Sequence, residues 1–146
     1  MKSKRIFYIL FLSFLINGNW IFANYAFKKK VKDVCKSYRV PMESSQLSLD
    51  VDEIGINIEG GRNNFEMFML VGFASAGEAI KHQQAMELAN AYVPSSVRVS
   101  VSVPISRGEF NIFVASCDSE MAISLADGTM DSAEFMQKIM KNMEIL

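Results

Sequence analysis

The fold predicted for this chain depends on one stretch, which begins with Phe65–Phe73 (FEMFMLVGF) and ends with Val97–Ile105 (VRVSVSVPI). The first run is apolar and rich in Phe and Met, which indicates a well-buried strand. Ser75 precedes a glutamate by three residues, the spacing of a capping box, so a helix is predicted over Ala76–Tyr92. The second run alternates apolar and polar side chains, as a strand with one buried face does. The stretch therefore predicts strand, helix and strand.

Further short strands are predicted upstream of this stretch. Apolar residues alternate within Leu47–Val51 and again within Ile54–Ile58. The phase changes between the two runs, which indicates a bulge or a tight turn. The loop Gly60–Asn64 is rich in residues that tolerate positive φ, so it predicts a hairpin that pairs the second run with Phe65–Phe73.

The C-terminal part is predicted to add two strands and a helix. Phe110–Cys117 returns as a strand after a turn, and Met121–Leu125 alternates in the same way. Asp131 and Glu134 have the spacing of a cap ahead of an apolar helical repeat. The predicted fold class is α+β: a single small domain with an antiparallel or mixed sheet of about five to six strands and two main helices on one face, after an N-terminal signal segment.

The N-terminus has the composition of an export signal. Met1–Arg5 is cationic, Ile6–Ile16 is apolar, and Ala23 offers a small residue at a plausible cleavage position. The apolar run is too short to span a bilayer by itself. Residues 1–23 are therefore predicted to be a cleaved signal peptide, and the protein to be exported, either periplasmic or secreted. The alternative is an uncleaved membrane anchor over residues 6–27, which is long enough to cross.

Charge divides the rest of the chain into a basic N-terminal arm over residues 24–45 and an α+β domain over residues 46–146. The formal net charge is −1, but acidic residues outnumber basic ones in the domain, which argues against a nucleic-acid partner. A short amphipathic helix in the arm would expose its lysines to solvent or to an anionic membrane surface. These lysines are Lys28, Lys29, Lys30 and Lys32.

The chain contains two cysteines, Cys35 and Cys117, and neither has a CxxC partner. In an exported protein an isolated pair predicts one disulfide bond. The alternative is two buried thiols that behave as small apolar side chains. Neither position has the setting of a reactive thiol, because Cys117 ends a predicted strand and Cys35 lies within the basic helix.

No catalytic or metal-binding signature is recognisable in the sequence. A hydrolase elbow around Ser75 would need glycine where Phe73 stands, and the one histidine, His82, lies in the helix that this serine would cap. A zinc site needs three or four ligands, which one histidine and two distant cysteines do not supply. The ten methionines could bind a soft metal, but they fall on apolar faces where methionine usually fills a core. We therefore expect no cofactor and no metal.

The predicted function is binding by a small exported accessory module, such as an adaptor, a subunit or an inhibitor of another envelope or extracellular protein. Phe68, Leu70 and Phe113 fall out of phase with the main apolar faces of their predicted strands, and Arg98 lies on the polar face of its strand. Large apolar side chains in a low-charge polar surround are typical of protein-binding surfaces. The alternatives are a core role for these residues, a small enzyme with a carboxylate site, and a carrier of a soft metal or a small ligand.

Overall fold

The computed structural model describes residues 22–146, so the predicted signal segment lies, except for its last two residues, outside the described residues. Within them the chain forms four α-helices and five strands. In chain order these are α1 (22–37), a 3-10 turn at Ser44–Gln46, β1 (Leu47–Leu49), β2 (Glu53–Glu59), α2 (Phe65–Ala85), β3 (Ser96–Ser106), β4 (Glu109–Asp118), α3 (Ser119–Asp127), α4 (Ser132–Met140) and β5 (Glu144–Ile145). The predicted α+β class is confirmed.

The five strands form one mixed sheet in the order β1-β2-β3-β4-β5. β2 and β3 pair in parallel because α2 connects them as a crossover, and the other neighbouring strands pair antiparallel. The helices pack on one face of the sheet, where Val97, Val99 and Val101 of β3 are fully buried in the core. The free edges are short strands of three and two residues, which limits unwanted pairing with other chains.

The prediction for Phe65–Phe73 is wrong, because these residues form the first half of α2 instead of a strand. α2 contacts β2 and β3 on one side and α3 and α4 on another. Buried side chains such as Phe68 and Phe73 therefore point in several directions from the helix. A helix buried on several sides lacks the polar stripe that reveals a period of 3.6, so its apolar run cannot be distinguished from a strand. The predicted hairpin with β2 is wrong for the same reason.

Ser75 is a buried residue in the middle of α2 and does not cap a helix. Its hydroxyl donates to the carbonyl oxygen of Gly72 at 2.8 Å. Glycines in this part of α2 let neighbouring elements approach closely. A Cβ at Gly72 would meet a valine of β3 at 2.8 Å, and a Cβ at Gly77 would overlap the carbonyl of Ala122 in α3. The helix ends at Ala85, before its predicted end.

The prediction of a strand over Met121–Leu125 is also wrong, because these residues lie in α3. The carboxylate of Asp118 accepts a hydrogen bond from the Met121 amide at 2.7 Å, which caps the helix. Gly128 ends the helix in the left-handed region, with φ of 78°. Every side chain within this run is buried or half-buried, so its alternation did not mark one buried face.

Three predicted elements are confirmed at their predicted positions. β3 contains Val97–Ile105 and β4 contains Phe110–Cys117. α4 begins after Asp131, whose carboxylate accepts a hydrogen bond from the Ala133 amide at 3.0 Å. In each case a regular alternation or a complete cap agrees with the tertiary environment, so local and global preferences coincide.

α1 belongs to the core of the same domain, although the charge pattern predicts a separate basic arm. Ala23, Phe27, Val31 and Cys35 recur at every fourth residue, and none is more than 2% exposed. Phe27, Val31 and Cys35 belong to the same hydrophobic core as residues of β2 and α2. The basic segment and the rest of the domain therefore share one core in this structure.

Candidate functional site

The face of the sheet opposite the helices, here called the open face, is polar at its centre. Side chains alternate across the sheet, so the residues of β3 between the buried valines point to this face. Arg98 is exposed there, as the alternation predicts, and it lies between Gly55 of β2 and Ser116 of β4. Ser100 and Asn57 continue the polar surface toward the other end of the strands.

One end of the open face carries an apolar cavity, here called the distal groove. β4 places Phe110 and Ile112 on this face, and Pro104 of β3 lies directly opposite Phe110. Phe110 is 58% exposed. The cavity has a volume of about 360 Å³, within the range of small-ligand and side-chain pockets. It is lined by Glu59, Gly60, Ser102, Pro104, Phe110 and Ile112.

Hydrogen bonds hold the backbone around the distal groove. The Gly60 amide donates to the Ser102 carbonyl at 2.8 Å, which extends the pairing of β2 with β3 past the last residue of β2. The Arg62 guanidinium donates to the carbonyl oxygens of Pro104 and Ile105, at 3.3 and 2.8 Å. The walls of the groove are therefore fixed before any partner binds, which lowers the entropy that binding must offset.

The sequence contains a signal for the distal groove, although the prediction missed it. β4 is apolar in both phases: Phe110, Ile112 and Val114 point to the open face, whereas Phe113 and Ala115 point to the helices. A strand that is apolar in both phases belongs either to a sheet covered on both faces or to a sheet with an exposed apolar stripe. In this structure the stripe is exposed at its Phe110 end.

The predicted placement of Phe68, Leu70 and Phe113 on a sheet surface is wrong. Phe68 and Leu70 lie on α2, where Phe68 is 9% exposed and Leu70 packs partly buried against the core. Phe113 points to the helix side of β4 and stacks on Phe65, with ring centroids 4.6 Å apart. The error follows from treating the first half of α2 as a strand, since a helix turns these side chains toward the core.

Cys35 and Cys117 are free thiols in this structure and lie on opposite sides of α2. Cys35 of α1 lies beside the hydroxyl of Ser75, whereas Cys117 lies beside the backbone of Ala122 in α3. No bond joins the two thiols in this structure, and the disulfide stays a prediction. Burial raises the pKa of the Cys35 thiol, and burial together with the Asp118 carboxylate raises the pKa of Cys117 to about 12. Such thiols stay protonated and react slowly.

The lysines of α1 lie on its solvent side. The Lys29 ammonium contacts the Asp33 carboxylate at 2.8 Å. This hydrogen bond raises the pKa of Lys29 and lowers the pKa of Asp33. Lys28 and Lys32 each lie 3.4 Å from an oxygen of Ser44. The contacts orient these ammonium groups without burying them, so they remain available to an anionic surface.

The end of the sheet opposite the distal groove exposes apolar side chains of another kind. Val51 precedes β2 and is 81% exposed, and Phe22, at the first described position, is 73% exposed. Leu88 and Val93, in the segment between α2 and β3, are also exposed. Two clefts of about 250 Å³ each lie among these residues and share part of their lining. We call Phe22, Val51, Leu88 and Val93 the proximal pole.

A buried glutamine holds the structure together next to the proximal pole. The amide nitrogen of Gln83 donates to the Ala23 carbonyl at 3.0 Å, and its amide oxygen accepts from the Tyr92 backbone N–H at 3.1 Å. The Tyr92 hydroxyl donates to the carbonyls of Asp50 and Glu53, at 2.6 and 3.1 Å. Burial, and then the nearby carboxylates, raise the pKa of Tyr92 above its ordinary range. Gln83 therefore links α1 to the segment that leads into β3.

Other chemistry and similarity to known proteins add little to these two surfaces. Within residues 22–146, no three His, Cys, Asp or Glu side chains come together to hold a metal ion. None of the helices in this described part is long and apolar enough to cross a membrane. No family model, curated protein or solved structure matches the chain. The distal groove and the proximal pole are the two exposed apolar features from which we infer a function.

Proposed function

We propose that the protein is a small binding module that holds an apolar segment of another protein in its distal groove. The observation that carries the proposal is the position of Phe110. Its ring is 58% exposed, and it lies in a concave site beside Pro104 and Ile112 on an otherwise polar face. An aromatic anchor in a small cavity with a polar rim is the usual composition of a binding hot spot.

The polar residues around the distal groove favour an extended peptide segment as its occupant. Ser102 and Glu59 both line the groove. Arg98 lies on the same face, four residues before Ser102 in β3. The distance between the two residues along the strand is about 13 Å. An extended segment of about four residues covers that distance. We expect a partner segment with an apolar side chain for the groove, a basic group near Glu59 and an acidic group near Arg98.

The cellular role rests on the N-terminal segment. Its cationic start and apolar run support export to the periplasm or the cell exterior. The partner would then be another envelope or extracellular protein, for which this domain acts as an adaptor, an accessory subunit or an inhibitor. The alternatives of a carboxylate enzyme and of a soft-metal or small-ligand carrier stay predictions, and no contact described above favours either.

The test is site-specific photo-cross-linking in the native host. A photoreactive phenylalanine analogue replaces Phe110 in one version of the chain and Met140, an exposed residue of α4, in the control. We expect a discrete cross-linked species from position 110 only. Excess unlabelled chain should suppress it, and chain carrying Phe110→Ser should compete about tenfold less well or worse. Equal cross-linking from both positions, or none from position 110, would contradict the proposal.

A further inference from the structure

The fold uses the residue after which the predicted signal cleavage would occur. Ala23 is 2% exposed, and its carbonyl oxygen accepts a hydrogen bond from the fully buried Gln83 amide at 3.0 Å. A chain that began at Asn24 would lack this acceptor and would leave a buried donor unpaired. It would also place an ammonium group near the first turn of α1, where the helix dipole disfavours positive charge. The domain is therefore best completed by a chain that keeps residues 22 and 23.

A chain that is not cleaved before Phe22 also keeps the domain close to the apolar run. Six peptide units connect Ile16, the end of that run, to Phe22. A fully extended chain of this length reaches at most about 20 Å. If Ile6–Ile16 inserts into a bilayer, the proximal pole must therefore lie within about 20 Å of the inserted residues.

The surface that this short connection brings to the membrane is apolar. Phe22, Val51, Leu88 and Val93 come from three separate parts of the chain, and all four are exposed at the same end of the sheet. An exposed apolar surface of this kind normally has an occupant. A lipid surface fits because these exposed residues lie in loops and at the start of a helix, so no complementary shape is needed.

The basic side chains of α1 lie at the depth that lipid headgroups would have above this surface. An α-helix rises 1.5 Å per residue, so Lys28 and Lys32 lie about 9 and 15 Å from Phe22 along the helix axis. Ammonium groups at that level attract anionic headgroups, while the apolar residues contact the acyl boundary. The order of apolar and basic residues therefore matches the order of layers at a bilayer surface.

From these observations we infer that residues 1–21 stay attached to the domain and that the proximal pole rests on an anionic lipid bilayer. The seat on the bilayer consists of Phe22, Val51, Leu88 and Val93, and the retained N-terminal segment holds it there. The distal groove lies at the other end of β3, which is eleven residues long. In this arrangement the groove lies about 35 Å from the membrane surface. This arrangement presents the groove to other proteins whether or not the proposed partner is correct.

The first part of the test is the mass of the chain that the host produces. Membranes are washed with carbonate, and the protein that remains is measured by mass spectrometry. We expect the full-length chain of 16.4 kDa in the washed membranes and its release by detergent. A soluble chain that begins anywhere from Asn17 to Asn24 would overturn the inference, because it would show that the domain is complete without the N-terminal segment.

The second part tests the contact between the pole and lipid. The full chain first has its one tryptophan, Trp20, replaced by Phe. A single tryptophan is then introduced at the pole through Leu88→Trp. The control places it beyond the far end of β3 through Arg107→Trp. In vesicles of brominated phosphatidylcholine with about one-quarter phosphatidylglycerol, we expect about a twofold loss of Leu88→Trp emission and little change for the control. Val51→Trp serves as a second probe of the pole. The inference would be overturned by an absence of quenching at the pole, which is expected if a second copy or the N-terminal segment covers it. Equal quenching at both ends would also overturn it.

Discussion

The two ends of the sheet both expose apolar side chains, but they do so in different surroundings. The distal groove is concave, and its residues lie on paired strands whose backbone is fixed by the Gly60 and Arg62 hydrogen bonds. The residues of the proximal pole come instead from loops and from the start of α1. A fixed concave site can select a partner by shape, whereas a set of protruding side chains suits a surface without a defined shape.

This difference shows that exposure alone does not identify a binding partner. Phe110 and Phe22 are both more than half exposed, yet Phe110 lies in a groove that Ser102 and Glu59 also line, whereas Phe22 begins the helix that carries the lysines. The polar residues around an apolar side chain, together with the rigidity of the backbone that carries it, indicate which class of partner fits. Four predictions test whether the two ends are as distinct as the structure indicates.

The largest effect is expected from a pair of phenylalanine substitutions at the distal end. Phe68→Ser removes a buried ring that packs near Gly60, and we expect it to lower the free energy of unfolding by about 3–5 kcal/mol. Phe110→Ser removes a ring that is mostly exposed, and we expect a change below about 1 kcal/mol. Urea unfolding followed by circular dichroism measures both. Similar losses for the two variants would mean that Phe110 is a core residue and that the groove is not free.

The second effect concerns the glutamine that supports the proximal pole. Gln83→Leu leaves the Ala23 carbonyl and the Tyr92 N–H without their partner, so we expect a loss of about 2 kcal/mol in the free energy of unfolding. Gln84→Leu, at the next and exposed position of α2, is the matched control and should change stability little. Equal stabilities for the two variants would show that α1 does not depend on this contact and would weaken the argument against cleavage after Ala23.

A smaller effect is expected in the pH dependence of stability, through Tyr92 next to the proximal pole. The pKa of Tyr92 is higher in the folded protein than its ordinary value, which is about 10. Below that pH both states are protonated and stability is constant; above it the unfolded state loses its proton first, so stability falls as pH rises. Tyr92→Phe should cost about 1 kcal/mol at neutral pH through two lost hydrogen bonds, and it should make the alkaline decline shallower. Thermal unfolding between about pH 9 and 11 measures the slope, and identical slopes would contradict the burial of this hydroxyl.

The last prediction changes no residue and compares the two cysteines. Because Cys35 and Cys117 lie on opposite sides of α2 and both thiol pKa values are raised, we expect slow modification of the native protein by a thiol reagent at pH 8. Without any reductant, the unfolded chain should then give two reactive thiols. An unfolded chain with no reactive thiol would show that the predicted disulfide forms in the cell and that α2 does not separate the pair as it does here.

The sequence was sufficient wherever a local pattern and the tertiary environment require the same structure. The alternation of Val97–Ile105 predicted β3 and placed Arg98 on the open face, because a strand with one buried face has no other arrangement of these side chains. The cap at Asp131 predicted the start of α4, because a helix terminus needs acceptors for its free amides. The acid and base composition also separated basic α1 from the acidic remainder of the chain.

Tertiary structure alone decided the state of Phe65–Phe73 and the positions of the two exposed apolar surfaces. That run has no polar side, so its own period could not choose between strand and helix; the choice depends on α3, α4 and the sheet, which bury it from several directions. In the same way, burial of Ala23 depends on Gln83, sixty residues away, and exposure of Phe110 depends on which helices reach the far end of the sheet. Short-range periodicity reports how many faces of an element are buried, whereas the identity of the element that buries them is set by contacts between distant parts of the chain.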